Sequence, residues 1–399
     1  MVEMEQFENP SVYHFPPLSD RFLFTSRWKS LITEGCFRRL TSPLSHNVTP
    51  GAGLSGQAEK ALQEARQAGI RHPVIAGAIP FDPGQPSELF IPESYRFIDR
   101  KDVVKAAESL PAFSGGEVTG SRLIPEQPAF MAMVSQAIKA MERGEADKVV
   151  LSRLQEICSH DAIDMTGLMS QIVRQNPDNY HFHLPLSCGT TLLGASPELL
   201  LRKEGENFYS CPLAGSAGRS ADPEEDTLRG RDLMNSVKDR REHQLVTDDM
   251  RRTLQPVSQT LSVPDVPHLL TTSTLWHLAT DIRGTLAKTG TSALSLAAML
   301  HPTPALSGYP HRQAVELIKT LEPFRRNLFG GMVGWCDDQG NGEWVVTIRC
   351  ATVKDNRVTL FAGAGIIPAS DPSSEWRETG IKLNTMLRAF GLENTQVMA

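Results

Sequence analysis

The fold class is indicated most clearly by residues 328–363, which read LFGGMVGWCDDQGNGEWVVTIRCATVKDNRVTLFAG. Segments rich in β-branched and aromatic residues alternate there with turn-forming runs: 328–336, turn 338–342, 343–353, turn 354–356 and 357–363. This pattern predicts an antiparallel meander. Because strands grouped as hairpins do not alternate strictly with helices, an α+β fold is favoured over a doubly wound parallel fold.

The segment that follows, residues 370–382, reads SDPSSEWRETGIK. Asp371 precedes a proline, and this pair is typical of an N-cap and first helical position, so a helix is predicted to begin there. Glu375, Glu378 and Lys382 recur at i, i+3 and i+7 and fall on one flank of that helix. Such a flank can hold a hard cation and an anionic ligand, although it is also typical of a solvated face with ion pairs.

Domain boundaries follow from local composition in this chain of 399 residues. Residues 1–19 carry acidic, polar and proline residues and are expected to form a flexible N-terminal arm. The Gly/Ser/Pro-rich stretch near residues 109–127 predicts a mobile loop, and the longest helix is expected over residues 226–253. Length alone suggests two or three domains.

Composition is typical of a globular protein: 40% of the residues are hydrophobic, 22% are charged and the formal net charge is −6. No basic field favours nucleic acid or an anionic membrane, so neither is expected as a partner. The N-terminal residues lack the features of a signal peptide and no apolar run approaches membrane-spanning length, so a cytoplasmic protein is expected.

A second acidic pair lies in the run KDRREH at residues 238–243. Asp239 and Glu242 repeat the i, i+3 spacing of Glu375 and Glu378. Two such helices facing each other would gather several carboxylates around one point, which suits Mg²⁺. A solvated helix face is the alternative, since basic residues surround the pair.

Lys148 and Glu198 are candidates for proton transfer. Lys148 opens an apolar strand, and desolvation would lower its pKa and make it a usable general base; an edge lysine facing water is the alternative. Glu198 lies between a proline and three leucines, where burial would raise its pKa, although it could instead cap a helix. A raised carboxyl beside a lowered ammonium group allows acid and base steps near neutral pH.

Three further features are candidates for ligand binding. His277 lies in an apolar strand, where it is either a core hydrogen-bond donor or a functional group. Arg349 lies among apolar residues, where an unpaired guanidinium is costly, so an anionic partner is expected nearby. Gly363 and Gly365 can bring backbone N–H groups close to an anion, but the run lacks the pattern of a nucleotide-binding loop.

Seven motifs carry a family resemblance. They are DKVVLSR (147–153), GASPE (194–198), PLAGSA (212–217), LWHLAT (275–280), LHPTPAL (300–306), GMVGW (331–335) and EWRETGIK (375–382). In this order they closely resemble the chorismate-utilising enzymes, which include isochorismate, salicylate and anthranilate synthases. The match covers nearly the whole chain and is closest to the isochorismate synthases of catecholate siderophore pathways.

The resemblance implies one α+β catalytic domain over residues 20–392, with two antiparallel sheets packed as a layered core, helices outside, and a tail at 393–399. Lys148 would activate the water that attacks C2 of chorismate, and Glu198 would protonate the departing C4 hydroxyl. Mg²⁺ would be bound by acidic residues, directly or through water: Glu242, Glu378, Glu375 and Asp239.

The substrate-binding residues are also implied by the resemblance. Those expected to hold the substrate carboxylates are Arg349, Lys382 and the backbone around Gly363 and Gly365. Those expected to line the ring are Gly215, Ser216, His277 and Ala305. The product would be isochorismate for 2,3-dihydroxybenzoate and siderophore synthesis, and the protein would be a monomer.

Alternatives differ in product or in the presence of catalysis. A menaquinone-pathway isochorismate synthase would have the same chemistry, whereas a salicylate synthase would also eliminate pyruvate. A non-catalytic chorismate-binding protein would keep the ligand groups without turnover.

Overall fold

A computed structural model describes residue 15, residues 17–44 and residues 53–392. The described residues form these strands: β1 (Leu23–Thr25), β2 (Ser30–Glu34), β3 (Arg38–Leu40), β4 (Val74–Ile79), β5 (Glu88–Ile91), β6 (Ser94–Ile98), β7 (Val118–Ile124), β8 (Lys148–Ser159), β9 (Tyr180–Pro185), β10 (Thr191–Ser196), β11 (Leu199–Glu204), β12 (Asn207–Cys211), β13 (Leu213–Gly218), β14 (Ser258–Ser262), β15 (His268–Thr271), β16 (Leu275–Ala279), β17 (Ile282–Leu286), β18 (Gly308–Tyr309), β19 (Met332–Asp337), β20 (Gly342–Val346), β21 (Cys350–Lys354) and β22 (Arg357–Ile366). The α-helices are α1 (Leu54–Gln67), α2 (Arg100–Ser109), α3 (Gln127–Glu142), α4 (Met165–Gln175), α5 (Pro223–Asn235), α6 (Val237–Leu254), α7 (Ala293–Leu300), α8 (His311–Leu321) and α9 (Pro372–Ala389).

The strands form two large sheets and one small sheet. The first has ten strands in the order β18-β8-β22-β21-β10-β9-β1-β2-β6, with β7 also paired to β8. The second has nine, in the order β14-β17-β12-β11-β20-β19-β4-β5-β3, and the third is β13-β16-β15. Every pairing among the described strands is antiparallel. The predicted α+β class with two large antiparallel sheets is confirmed.

The two large sheets pack face to face, because each presents an apolar face to the other. Phe24 and Phe361 of the ten-stranded sheet belong to the same buried cluster as Val333 and Trp335 of the nine-stranded sheet. Burying one such side chain contributes about 1.5–3 kcal/mol. Helices α2, α4 and α9 cover the outer face of the ten-stranded sheet, and α1, α3, α6, α7 and α8 pack in the remaining large cluster.

The meander predicted from residues 328–363 crosses between the two large sheets. The single strand expected over 343–353 is wrong: the chain leaves the nine-stranded sheet after β20 and joins the ten-stranded sheet with β21. One continuous strand cannot belong to two facing sheets, so the backbone must turn between them. Arg349 lies at this crossing with φ of 49°, in the left-handed region that arginine rarely adopts. Its carbonyl oxygen accepts from Ala195 N at 3.0 Å, which holds the turn in place.

The single long helix expected over residues 226–253 is also wrong. Ser236 ends α5 and begins α6 in an extended conformation, with φ of −65° and ψ of 115°. Its hydroxyl oxygen accepts from Asp239 N at 3.2 Å. Serine side chains form such local hydrogen bonds in competition with a continuous helix. The break makes α6 a separate helix, and its first two turns carry Asp239 and Glu242.

The loop expected near residues 109–127 contains β7, so the expectation is wrong for Val118–Ile124. This segment pairs with the second half of β8, whose backbone groups need partners on that edge. Its mobility stays a prediction. Most of the expected arm at residues 1–19 lies outside the described residues. The whole of the expected tail at residues 393–399 also lies outside them.

The helix predicted from the Asp-Pro pair begins as expected. Asp371 is the N-cap of α9, and its carboxylate accepts from Ser374 N at 2.8 Å. No helix within the described ranges has the length and apolar character needed to cross a membrane.

Candidate active site

One cleft contains most of the candidate residues. It has a volume of about 620 Å³, part of which is open to solvent. The predicted residues that line it are Glu198, Gly215, Ser216, Glu242, His277, Ala305, Arg349, Gly363, Gly365, Glu378 and Lys382. Four elements supply most of these groups: the end of β22, the small sheet, helix α6 and helix α9. Lys148, Asp239 and Glu375 lie behind this lining.

Lys148 begins β8 and is fully buried, so the alternative of an edge lysine facing water is wrong. Its Nζ lies 3.0 Å from Glu242 Oε1, close enough for an ion pair, although Nζ has no well-aligned hydrogen-bond partner within the described structure. Gly365 on the neighbouring strand makes this contact possible. A Cβ at that position would lie 2.0 Å from Glu242 Oε1 and 3.1 Å from Lys148 Cε.

Glu198 follows β10 and is 3% exposed. Burial raises the pKa of this carboxyl to about 7, although the N–H of Leu213 and the charges of Lys148 and Arg349 oppose the shift. Leu213 N donates to Oε1 at 3.3 Å. The shift has the direction expected from the apolar surroundings, and it leaves much of the carboxyl protonated at neutral pH. Glu198 can therefore donate a proton.

Arg349 and Lys382 supply positive charge to the cleft. Burial lowers the pKa of Arg349 to about 10, although the charges of Glu378 and Glu198 oppose the shift. Lys382 Nζ lies 2.5 Å from Glu378 Oε1 and donates to Gly363 O at 2.9 Å. An anion that enters the cleft would meet the buried guanidinium of Arg349. Burying a guanidinium is costly unless a group of opposite charge binds it, and an anionic ligand would supply that charge.

His277 lies on β16, opposite Ser216 of β13. Burial, and then the charges of Arg349 and Lys382, hold the pKa of this imidazole well below its usual range, so it is neutral. Its Nε2 is buried without a partner in the described part of the chain. The alternative of a core histidine with both ring nitrogens satisfied is therefore wrong, and His277 is among the residues that line the cleft.

The acidic residues of α6 and α9 meet at the edge of the cleft. Lys238 on α6 donates to Glu375 Oε1 on α9 at 2.6 Å, so the two helices are joined by an ion pair. Burial, and then the neighbouring Glu378, raise the pKa of Glu375 despite this lysine. Burial also raises the pKa of Asp239, as does the charge of Glu242. The pKa of Glu378 is lowered instead, because Lys382 outweighs the effect of burial.

These carboxylates fit Mg²⁺ by their chemistry. Glu375 Oε2 is fully buried and has no partner among the described residues. The donors are hard oxygens, which Mg²⁺ prefers. The side chains are not already arranged around a metal position. Within the described ranges, no group of three or more His, Cys, Asp or Glu side chains lies close enough together to hold a metal ion. A cation would compete with the lysines.

Sequence reasoning missed several apolar and supporting residues of the site. Those that line the cleft are Val150, Pro197, Leu213, Ala214, Leu306, Phe329, Ile348 and Ala362. Lys238 was visible beside Asp239, but only the folded chain shows its contact with Glu375. The apolar residues carry no distinctive signal, because any buried strand contains the same types.

Comparison with protein families supports one assignment. The family model described as "Chorismate binding enzyme" matches residues 96–391. The chain is 51% identical over 373 residues to the isochorismate synthase EntC of Escherichia coli K12, covering 94% of this chain and 95% of that protein.

Solved structures show the same architecture. A putative 2,3-dihydroxybenzoate-specific isochorismate synthase, DhbC from Bacillus anthracis, superposes with a TM-score of 0.86 at 36% identity, covering 94% of this chain and 97% of that one. The menaquinone-specific isochorismate synthase MenF from Escherichia coli gives 0.77 at 28% identity, covering 96% and 92%.

Proposed function

The chain belongs to the chorismate-binding enzyme family, and from this premise we propose that it is an isochorismate synthase acting on chorismate. The observation that carries the proposal is a buried carboxyl in the cleft whose pKa is raised to about 7, together with a buried lysine just behind the cleft that contacts Glu242 of its lining. These groups suit a reaction in which a hydroxyl enters at C2 of the ring and another leaves from C4.

Lys148 would accept a proton from the water that attacks C2, and Glu198 would give a proton to the hydroxyl that leaves C4. The ring double bonds shift between these two carbons, so one water is consumed, one is released, and product and substrate are isomers. General acid–base catalysis typically contributes roughly 10²–10⁴-fold. His277 is neutral and would orient the ring by a hydrogen bond rather than transfer a proton.

Substrate charge would be met by the cleft's own cations. Chorismate is a dianion, and Arg349 would bind one carboxylate in the bidentate manner typical of arginine. Lys382 would hold negative charge on the other side of the cleft. Glu242 and Glu378 would bind Mg²⁺. Glu375 and Asp239 would also hold the cation, either directly or through a water molecule. When bound, it would supply positive charge opposite a substrate carboxylate.

We further propose that the isochorismate serves 2,3-dihydroxybenzoate and siderophore synthesis. The support is that the 2,3-dihydroxybenzoate-specific relative resembles this chain more closely than the menaquinone-specific one, by TM-score (0.86 against 0.77) and identity (36% against 28%). A cytoplasmic location and a monomeric state stay predictions.

The test is product analysis. Purified protein is incubated with chorismate, with and without Mg²⁺, and the products are separated by chromatography. Isochorismate alone, formed only with Mg²⁺, is the expected result. Salicylate with pyruvate would show a salicylate synthase, an ammonia-dependent product would show an amino-transferring enzyme, and binding without turnover would show a non-catalytic protein. Each of these three results would overturn the proposal.

A further inference from the structure

The strand that carries Lys148 has a gap along one edge. On one side β8 pairs continuously with β22. On the other side, β18 pairs with Lys148 and Val149, and β7 pairs only from Leu154 onward. Residues 150–153 therefore lie between two edge strands. Val150 N still reaches Ser307 O at 3.0 Å, but Val150 O and Ser152 N need other partners.

A buried ion pair fills this gap. Ser152 N donates to Glu322 Oε1 at 2.8 Å, and Arg326 Nη2 donates to Val150 O at 2.8 Å. The two side chains are joined by contacts of 2.5 and 2.9 Å and are 1% and 2% exposed. One acceptor and one donor thus meet the strand as the peptide groups of a neighbouring strand would.

The same guanidinium also reaches the wall of the cleft. Arg326 Nη1 donates to Leu306 O at 2.7 Å. Leu306, its neighbour Ala305 and Val150 all line the cleft. The planar fork of Arg326 therefore joins two separate parts of the lining, the strand that begins at Lys148 and the segment that carries Ala305.

We propose that Glu322 and Arg326 are positioning residues, which together replace a missing strand segment and fix Lys148 relative to the cleft wall. The catalytic consequence rests on the proposed function. Buried ion pairs often contribute little net stability compared with apolar residues. In this pair the carboxylate accepts from a backbone N–H of β8 and the guanidinium donates to a backbone carbonyl of β8. The effect of the pair is therefore to hold β8 in place. A small displacement of a reacting group is costly, since a misplacement of about 1 Å can lower a rate by about 10²-fold.

Arg326→Lys is the primary variant. The ammonium group keeps the charge opposite Glu322 but cannot replace the planar fork that spans Val150 O and Leu306 O. The expected result is a fall in kcat of at least about tenfold with KM within about threefold of the wild-type value. Hydrogen–deuterium exchange is expected to quicken in peptides covering 148–153 and 303–308, and not in β1 or β9 of the same sheet.

Glu322→Gln and Glu322→Ala form the second pair of variants. Glutamine keeps an acceptor oxygen for Ser152 N, whereas alanine does not, so glutamine is expected to retain more of kcat and more local protection from exchange. Equal kcat in the two variants would show that only the ion pair matters and would overturn the proposal. Glu343→Gln is the matched control, because Glu343 is also buried but lies on β20 of the other large sheet and is not among the residues that line the cleft, and wild-type kcat is expected.

Two readouts separate this proposal from the proposed function. If the wild-type protein does not convert chorismate, the proposed function fails, while the exchange experiment still reports whether the pair holds β8. Unchanged local exchange and unchanged kcat in Arg326→Lys would overturn the positioning role. A variant that fails to fold is replaced by Glu322→Gln, for which the same two measurements apply.

Discussion

Two regions of the molecule each contain a buried glutamate whose pKa is raised to about 7: the cleft, with Glu198, and the space between the two large sheets, with Glu343. Burial is the main cause in both. Glu198 faces a cleft with Arg349 and Lys382 in its lining. Glu343 lies opposite Trp335 on the neighbouring strand, and both of its carboxyl oxygens lack partners among the described residues.

The comparison shows that a raised pKa alone does not identify a catalytic acid. Such shifts follow from desolvation anywhere in a protein and gain functional meaning only with access to a ligand and with suitable neighbours. Glu198 has a cleft, cationic groups and a buried lysine. Glu343 is not among the residues that line this cleft, and the opposing charge that acts on it is that of Arg202, which lies opposite it on the neighbouring strand. Variants of the two regions should therefore affect different properties.

The largest effect is expected for Lys148→Ala. If Lys148 is the base, its removal should lower kcat by about 10³-fold or more, at the upper part of the range for general bases. Chorismate binding, measured by calorimetry, should change little, because the carboxylate-binding groups stay in place. Turnover close to that of the wild type would contradict the assigned role.

Glu198→Gln should lower kcat by roughly 10²–10³-fold, because the amide cannot donate the proton to the leaving hydroxyl. In the wild type the acid must be protonated, so kcat should fall as pH rises through the raised pKa of Glu198, about 7. The residual rate of the variant should lack this alkaline decline. If the variant kept the decrease of kcat at high pH that the wild type shows, this decrease would have to be assigned to another titrating group.

Glu378→Gln tests the proposed Mg²⁺ site. Loss of one carboxylate charge should weaken Mg²⁺ binding, measured by titration calorimetry without substrate, by at least about tenfold. Glu225→Gln removes the same charge from α5, where the carboxylate is half-exposed and paired with Arg229. It should leave Mg²⁺ binding unchanged. Equal affinities in the wild type and Glu378→Gln would rule out Glu378 as a ligand.

The sequence predicted features that depend on residues close together in the chain better than features that depend on contacts between distant residues. The N-cap at Asp371 and the i, i+3 spacing of Glu375 and Glu378 involve residues within one helical turn, so the sequence pattern is sufficient. The left-handed turn at Arg349 forms because the chain passes there between two facing sheets. No residue within the turn is typical of a left-handed conformation, so the local sequence does not predict it. The contacts of Glu322 with β8 span 170 positions, which is beyond any periodic pattern.

The smallest effect on turnover, and the clearest effect on stability, is expected for Glu343→Gln. The pKa of Glu343 is about 7 in the folded state, against an ordinary value of 4.5 for a glutamate carboxyl. Between these values the folded state binds more protons than the unfolded state, so wild-type stability should fall as pH rises from about 5 through 7. Gln does not titrate. Relative to the wild type, the variant should therefore gain about 2–3 kcal/mol between pH 5 and pH 8, measured by urea unfolding.

This result would separate the two regions most sharply if kcat is measured on the same samples. Glu343→Gln should keep wild-type kcat and its decline above pH 7, whereas Glu198→Gln should lose both. If Glu343→Gln instead removed the alkaline decline of kcat, the limb would report the stability of the layered core rather than proton donation in the cleft. The pH dependence would then no longer support Glu198 as the acid, and the comparison between the two glutamates would have to rest on their contacts alone.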